Sequence, residues 1–86
     1  MLHDIPRTLL AERETAFAAL NEAFPPGLSA GNLDALYDVL TEVNGLTLRL
    51  MGPAPDSAFY PRILRVLKDA EQDNNRFFLL EMPEAY

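Results

Sequence analysis

Residues 46–50 read Leu-Thr-Leu-Arg-Leu, and this short segment constrains the fold more than any other part of the chain. Apolar and polar residues alternate along it, and a period of two predicts a β-strand with one buried face and one solvent-exposed face. Because helical patterns precede and follow it, its neighbouring strands are reached through crossovers that contain a helix, and such crossovers join parallel strands. Thr47 and Arg49 on the second face indicate that helices cover only one side of the sheet. The segment therefore predicts an α/β domain with a small parallel sheet.

Two helices are predicted before this strand, because apolar residues recur there at spacings of three and four. The first spans about residues 12–23 and is ended by the double proline at 25–26, since proline has no amide hydrogen with which to continue the helix. The second has either Ser29 or Asn32 as its N-terminal cap and runs to about Val43, where an Asn-Gly pair favours a turn.

A third helix and two further strands are predicted in the rest of the chain. After a Gly- and Pro-rich break, helical spacing returns over residues 60–70, and Asn74 and Asn75 favour a left-handed helix end. The apolar run FFLL at residues 77–80 predicts a strand, and residues 1–5 predict a short first strand. The order strand, helix, helix, strand, helix, strand agrees with the α/β class.

The composition limits the classes of function that this chain can have. Its 86 residues allow one small domain, spanning residues 1–86. Thirteen acidic and seven basic side chains give a net charge of -6, which disfavours binding to nucleic acid or to an anionic membrane surface. The absence of cysteine excludes a disulfide framework and a thiolate zinc site.

The sequence contains no pattern typical of a catalytic or cofactor-binding site. His3 is the single histidine, which excludes a histidine-based triad and most zinc sites. Ser57 lies in an Asp-Ser-Ala tripeptide similar to the attachment site of carrier proteins, but it precedes a predicted helix and is interpreted as its cap. We therefore predict that the protein is not an enzyme and binds neither a metal nor a cofactor. With no apolar run near ~20 residues and no secretory leader, a cytoplasmic protein is expected.

Acidic residues are concentrated in the middle of the chain. No lysine or arginine occurs from Glu14 to Leu48. Asp34, Asp38 and Glu42 follow one another at every fourth position of the second helix, so they form one acidic ridge. Such like charges cost an isolated helix ~0.2 to 0.5 kcal/mol per pair. A ridge of this kind is compatible with two interpretations. It is either an ordinary solvent-exposed face of the helix or a surface that binds a basic partner.

Residues 31–40, which contain most of this ridge, read GNLDALYDVL, and a Phe-Pro pair precedes them at 24–25. This stretch resembles the signature of the barstar family, intracellular inhibitors of small secreted ribonucleases. In that signature a proline closes the first helix, and a short loop leads to Asn-Leu-Asp-Ala-Leu-aromatic-Asp-x-Leu at the start of the second helix. The match runs without a gap from Asn32 to Leu40. The later helix and the terminal strand fit the same plan more loosely.

The resemblance implies both a fold and a mode of action. The fold is a two-layer domain in which helices pack against a three-stranded parallel sheet. The second helix and the loop before it block the basic active site of the ribonuclease, with Asp38 in the place of a substrate phosphate and Asp34 paired with basic groups. Asp69, on the last helix, makes an outlying contact. The residues that the resemblance assigns to the partner-binding surface are Leu28, Ser29, Asn32, Asp34, Tyr37, Asp38, Thr41, Glu42 and Asp69.

Leu28, Ser29 and Ala30 stand where the family has a tyrosine pair and a glycine, so the loop lacks the family's aromatic side chains. The resulting hypothesis is a protein inhibitor that binds one small basic ribonuclease per molecule and is monomeric when free. The alternative is an acidic interaction module of the same fold whose basic partner is not a ribonuclease.

Overall fold

Three parallel strands form the sheet of this domain. The computed structural model describes residues 1–84, in which β1 (Leu2–Pro6) and β3 (Phe77–Glu81) pair with the two sides of β2 (Leu46–Met51). Both pairings are parallel, as expected for strands whose connections contain a helix. The predicted α/β class and the three-stranded parallel sheet are confirmed.

Helices supply the connections between these strands. A short 3₁₀ helix (Arg7–Ala11), α1 (Arg13–Ala23) and α2 (Leu33–Glu42) connect β1 to β2, and α3 (Phe59–Asp73) connects β2 to β3. Ser57 lies two positions before α3, and its Oγ accepts a hydrogen bond of 3.1 Å from the backbone N–H of Tyr60 in the first turn. The N-cap position itself is Ala58, whose side chain makes no such bond, so Ser57 contributes its capping hydrogen bond from one residue earlier. None of the helices in the described part of the chain is long and apolar enough to cross a membrane.

The helices cover one face of the sheet and leave the other open. Along β2 the inner positions are buried and the outer positions are partly exposed, as the alternation in the sequence predicted. On the open face, Asp4 and Arg49 form an ion pair of 2.6 Å. Exposed apolar side chains surround this pair: Leu2, Phe78, Leu80 and Met82.

The hydrophobic core lies between the covered face of the sheet and the helices. Leu36 and Leu40 of α2 belong to it, and their burial fixes which side of α2 faces the solvent. Each large side chain buried in this way contributes ~1.5 to 3 kcal/mol relative to an exposed one. The largest fully buried side chains are Phe77, Leu10, Leu20, Leu36, Leu40, Leu48, Leu50, Ile63 and Leu67.

The end of α3 differs from the prediction. Asn74 has an extended backbone with a φ of -134°, and within residues 1–84 no residue other than glycine has a positive φ, so the left-handed helix end predicted at Asn74 and Asn75 is wrong. The side chain of Asn74 instead donates hydrogen bonds to the carbonyl oxygens of Leu40 (2.8 Å) and Val43 (2.9 Å). The C-terminal carbonyls of a helix have no partner within it. The Asn74 amide therefore caps α2 rather than its own helix.

Candidate partner-binding site

The acidic ridge lies on the solvent side of α2. The side chains of Asp34, Asp38 and Glu42 are exposed, whereas Leu36 and Leu40 are 0% exposed. Because positions four apart share one helix face, the burial of the leucines turns the three carboxylates outward together. The ridge is therefore one continuous exposed surface.

No basic side chain of the described residues forms an ion pair with this ridge. The ion pairs among residues 1–84 are Arg49–Asp4 (2.6 Å) and Lys68–Glu81 (3.6 Å), and neither involves α2. An exposed carboxylate without a cation keeps its full capacity to accept charge-assisted hydrogen bonds from arginine or lysine. The ridge can therefore bind a surface on which several basic groups lie close together.

Asn32 fixes the start of α2. Its Oδ1 accepts a hydrogen bond of 2.8 Å from the backbone N–H of Ala35, so Asn32, and not Ser29, is the N-terminal cap. Asp34 follows in the first turn, where the helix dipole favours a negative charge. The predicted contact residue Asn32 thus uses its side-chain oxygen within its own helix, which leaves the Nδ2 group to meet a partner.

The loop between α1 and α2 is held by Asn21. Its side-chain amide makes two hydrogen bonds to the backbone of Ala30, of 2.8 and 3.0 Å. Leu28 is half-buried and packs against the core, whereas Ser29 is exposed. Of the two loop residues predicted to contact a partner, Ser29 faces the solvent and Leu28 faces the core.

Thr41 is half-buried beside the ridge. Its Oγ lies 3.0 Å from the carbonyl oxygen of Tyr37 and 3.0 Å from that of Asp38, and donates to this pair of acceptors. Such bonds to the preceding turn are a common way for a threonine hydroxyl to be satisfied inside a helix. The hydroxyl of Thr41 is therefore engaged by its own helix, unlike the carboxylates around it.

Tyr37 connects α2 with α3. Its hydroxyl donates a hydrogen bond to the carboxylate of Asp73. This bond raises the pKa of Tyr37, and the smaller causes are loss of hydration and the negative charges of Asp73, Asp69 and Asp38. The hydrogen bond also brings Asp38, next to Tyr37 on α2, toward Asp69, which lies one turn before Asp73 on α3.

Asp73 belongs to this site and was not among the predicted residues. The sequence does contain a signal for it, because Asp69 and Asp73 are four apart on α3 and so share one face, as the ridge residues do on α2. Only the packing of α2 beside α3 brings Asp69 and Asp73 close to the acidic ridge of α2. The acidic surface, as the term is used below, consists of Asp34, Asp38, Glu42, Asp69 and Asp73 with Tyr37 among them.

An apolar cleft of about 270 Å³ lies elsewhere, at the end of the sheet where β2 begins. Its walls include Phe24, Pro25, Val43 and Leu46. None of the predicted site residues lines this cleft, so the cleft is separate from the acidic surface.

The acidic surface thus offers several carboxylates and one phenol to a partner, and the chemistry it supports is the binding of basic groups. Among residues 1–84, no three His, Asp or Glu side chains are arranged to hold a metal ion. Neither a protein-family model, nor a curated protein, nor a solved structure matches this sequence. The resemblance to the barstar family therefore stays a prediction that rests on the residues quoted for it.

Proposed function

We propose that this protein inhibits a small basic ribonuclease by covering its active site with α2 and the loop before it. One observation carries the proposal: Asp34 and Asp38 are exposed, one helical turn apart, and form no ion pair within residues 1–84. Like charges at this spacing destabilise an isolated helix. A basic partner explains their position better than the stability of the free protein does.

The chemistry of a ribonuclease active site suits these carboxylates. A site that binds RNA phosphates uses arginine, lysine and histidine, whose side chains donate charge-assisted hydrogen bonds. A carboxylate offers acceptor oxygens to the same donors but contains no bond that the nuclease can cleave. By the resemblance to the barstar family, Asp38 takes the place of the substrate phosphate and Asp34 pairs with basic groups beside it.

Several contacts order the proposed surface before it meets a partner. Asn32 caps α2, and Asn21 holds the loop at Ala30. An ordered surface loses little conformational entropy on binding, so more of the interaction energy appears as affinity. We expect a monomer that acts in the cytoplasm and protects cellular RNA by binding one nuclease per molecule.

An inhibition assay tests this proposal. The protein is titrated into a small secreted ribonuclease of the barnase type, and cleavage of a fluorogenic RNA substrate is followed. Cleavage should fall to the background when the two proteins are present in equal amounts, and a ribonuclease of unrelated structure should stay active. Because the inhibition is by occlusion, dilution or high salt should restore the nuclease activity.

Matched variants identify the surface responsible. The double variant Asp34→Asn, Asp38→Asn should lose inhibition, whereas Asp56→Asn, which removes an exposed charge outside α2, should keep it. Full nuclease activity in the presence of excess wild-type protein, or cleavage of RNA by the protein itself, contradicts the proposal. In the first of these cases the alternative, a basic partner that is not a ribonuclease, becomes the working hypothesis.

A further inference from the structure

A side-chain hydrogen bond ties α2 to α3 beside Asp38. The donor is the Tyr37 hydroxyl and the acceptor is the Asp73 carboxylate, and the two residues are 36 positions apart in sequence. We infer that Asp73 is a positioning residue of the inhibitory surface, which holds the Tyr37 ring in the orientation in which it meets the ribonuclease. This inference rests on the proposed function.

The Tyr37 ring is fixed at both of its ends. It is half-buried and packs against the core on one side, and its hydroxyl is held by Asp73 at the other. A side chain that is already immobilised loses less rotational freedom when a partner covers it. Because Tyr37 is adjacent to Asp38 in sequence, a ring in one fixed orientation also limits the positions that a nuclease side chain can take beside that carboxylate.

The position of Asp73 is not explained by the stability of its own helix. Asp73 is the last residue of α3, where the helix dipole disfavours a negative charge. The carboxylate of Asp69 lies one turn earlier and repels it. The contact that offsets these costs is the hydrogen bond from Tyr37, so the contribution of Asp73 to the surface is made through the tyrosine.

Three substitutions separate this role from a direct charge contact. Asp73→Asn removes the charge but keeps an oxygen that can accept the bond, Asp73→Ala removes both, and Tyr37→Phe removes the donor. Dissociation constants are measured for a barnase-type ribonuclease at physiological ionic strength. We expect Asp73→Ala and Tyr37→Phe each to weaken binding by roughly 3- to 10-fold. The dissociation constant of Asp73→Asn should stay within about 2-fold of the wild-type value. The double variant Tyr37→Phe, Asp73→Ala should bind no more weakly than either single variant, because both substitutions remove the same hydrogen bond.

Two further measurements complete the test. Asp69, which is exposed on the same face, is the matched control, because its Asn and Ala variants should bind alike if it acts only through its charge. In the free protein, the phenol pKa of Tyr37, followed by NMR of the ring carbon, should fall in Asp73→Ala, while the melting temperature should change little. That titration reports the contact without any nuclease.

The failures of the two proposals are distinguishable. If wild type binds the ribonuclease but Asp73→Asn loses as much affinity as Asp73→Ala, while Tyr37→Phe binds normally, Asp73 is a direct charge contact and the inference is wrong. An unchanged Tyr37 pKa in Asp73→Ala also overturns it. If the wild-type protein binds no such ribonuclease, the proposed function fails and this inference fails with it.

Discussion

The side-chain amide of Asn21 makes two hydrogen bonds with the backbone of Ala30: Nδ2 donates to the carbonyl oxygen at 3.0 Å, and the backbone N–H donates to Oδ1 at 2.8 Å. Ala30 is only 5% exposed, so water cannot easily replace either bond. One side chain near the end of α1 thus satisfies both polar groups of a buried loop residue and ties the loop before α2 to α1.

Asn21→Ala should destabilise the fold and loosen this loop. A buried donor or acceptor left without a partner costs ~1 to 3 kcal/mol, and urea denaturation should detect a loss of that size. Hydrogen exchange at the Ala30 amide should become faster, because that N–H loses its acceptor. Glu22→Ala changes the next residue, whose side chain is exposed, and should leave both quantities unchanged. If the Ala30 amide stays protected in Asn21→Ala, the loop is held by other contacts.

The Asp4–Arg49 pair on the open face of the sheet should make stability depend on acid pH. The hydrogen bond with Arg49 holds the pKa of Asp4 below its ordinary value. Because the folded-state pKa is lowered, the contribution of the pair is present above the ordinary value of about 4 and is lost as the pH falls through the lower folded-state pKa. Arg49→Met should therefore melt below wild type at neutral pH, and the two melting temperatures should converge as the pH falls below the lowered pKa of Asp4.

Arg62→Met, which removes an exposed arginine of α3, is the control for this measurement. It should leave the acid dependence of the wild type intact. A difference between Arg49→Met and wild type that persists at the lowest pH would mean that the arginine stem stabilises the sheet by packing and not by its charge.

Four elements of this fold, β2 and the three α-helices, could be predicted because each has its own periodicity. β2 alternates with a period of two, and the helices repeat apolar residues at three and four, so the covered face of each element follows from local sequence. The exposure of Asp34 and Asp38 follows from the same reasoning, since Leu36 and Leu40 must face the core.

Contacts between distant segments could not be predicted in this way. The sequence predicts a left-handed helix end at Asn74, yet the Asn74 side chain caps α2 at Leu40, 34 positions away. Arg7 is 4% exposed and donates hydrogen bonds to the carbonyl oxygens of Gly52 and Met82, a role that no charge pattern indicates. Each of these contacts depends on how packed elements lie relative to one another, and local spacing carries no information on that arrangement.

Association with the proposed ribonuclease partner should be fast and should slow as salt is added. The molecule carries a net charge of -6, and its central region from Glu14 to Leu48 contains no basic residue. Attraction between such a surface and a basic cleft raises association rates by roughly 10- to 1000-fold at low ionic strength. Stopped-flow fluorescence from about 25 mM to about 500 mM salt measures this dependence. A rate that does not change over that range would contradict electrostatic steering, and the Asp34→Asn, Asp38→Asn variant should show a weaker dependence than wild type.

Leu28 and Ser29 should respond differently to substitution by tyrosine, the residue that the resemblance to the barstar family implies at these loop positions. Ser29 is exposed, so Ser29→Tyr should add a ring to the surface that we propose covers the nuclease, and should strengthen binding by ~0.5 to 1.5 kcal/mol. Leu28 is half-buried against the core, so Leu28→Tyr should instead lower the free energy of unfolding by ~1 to 3 kcal/mol through overpacking. Calorimetric titration and thermal melting of both variants test this. Unchanged affinity in Ser29→Tyr would indicate that the loop lies outside the interface.

Asp38→Ala should separate binding from stability. Asp38 is exposed, lies beyond the first turn of α2 and has like charges four residues away on each side, at Asp34 and Glu42. Removing it relieves repulsion, so the free energy of unfolding should stay the same or rise by at most ~0.5 kcal/mol.

Binding should suffer far more in the same variant. A carboxylate that is desolvated against several fixed cations is a hot spot, and its truncation should cost about 4 kcal/mol or more, a magnitude that the resemblance to the barstar family implies. Glu42→Ala, at the edge of the same ridge, should cost less, because a charge that stays solvated in the complex contributes little. Melting temperatures and dissociation constants of both variants test the assignment. An Asp38→Ala protein that melts several degrees lower would show a structural role, and one that binds as tightly as wild type would show that Asp38 lies outside the interface.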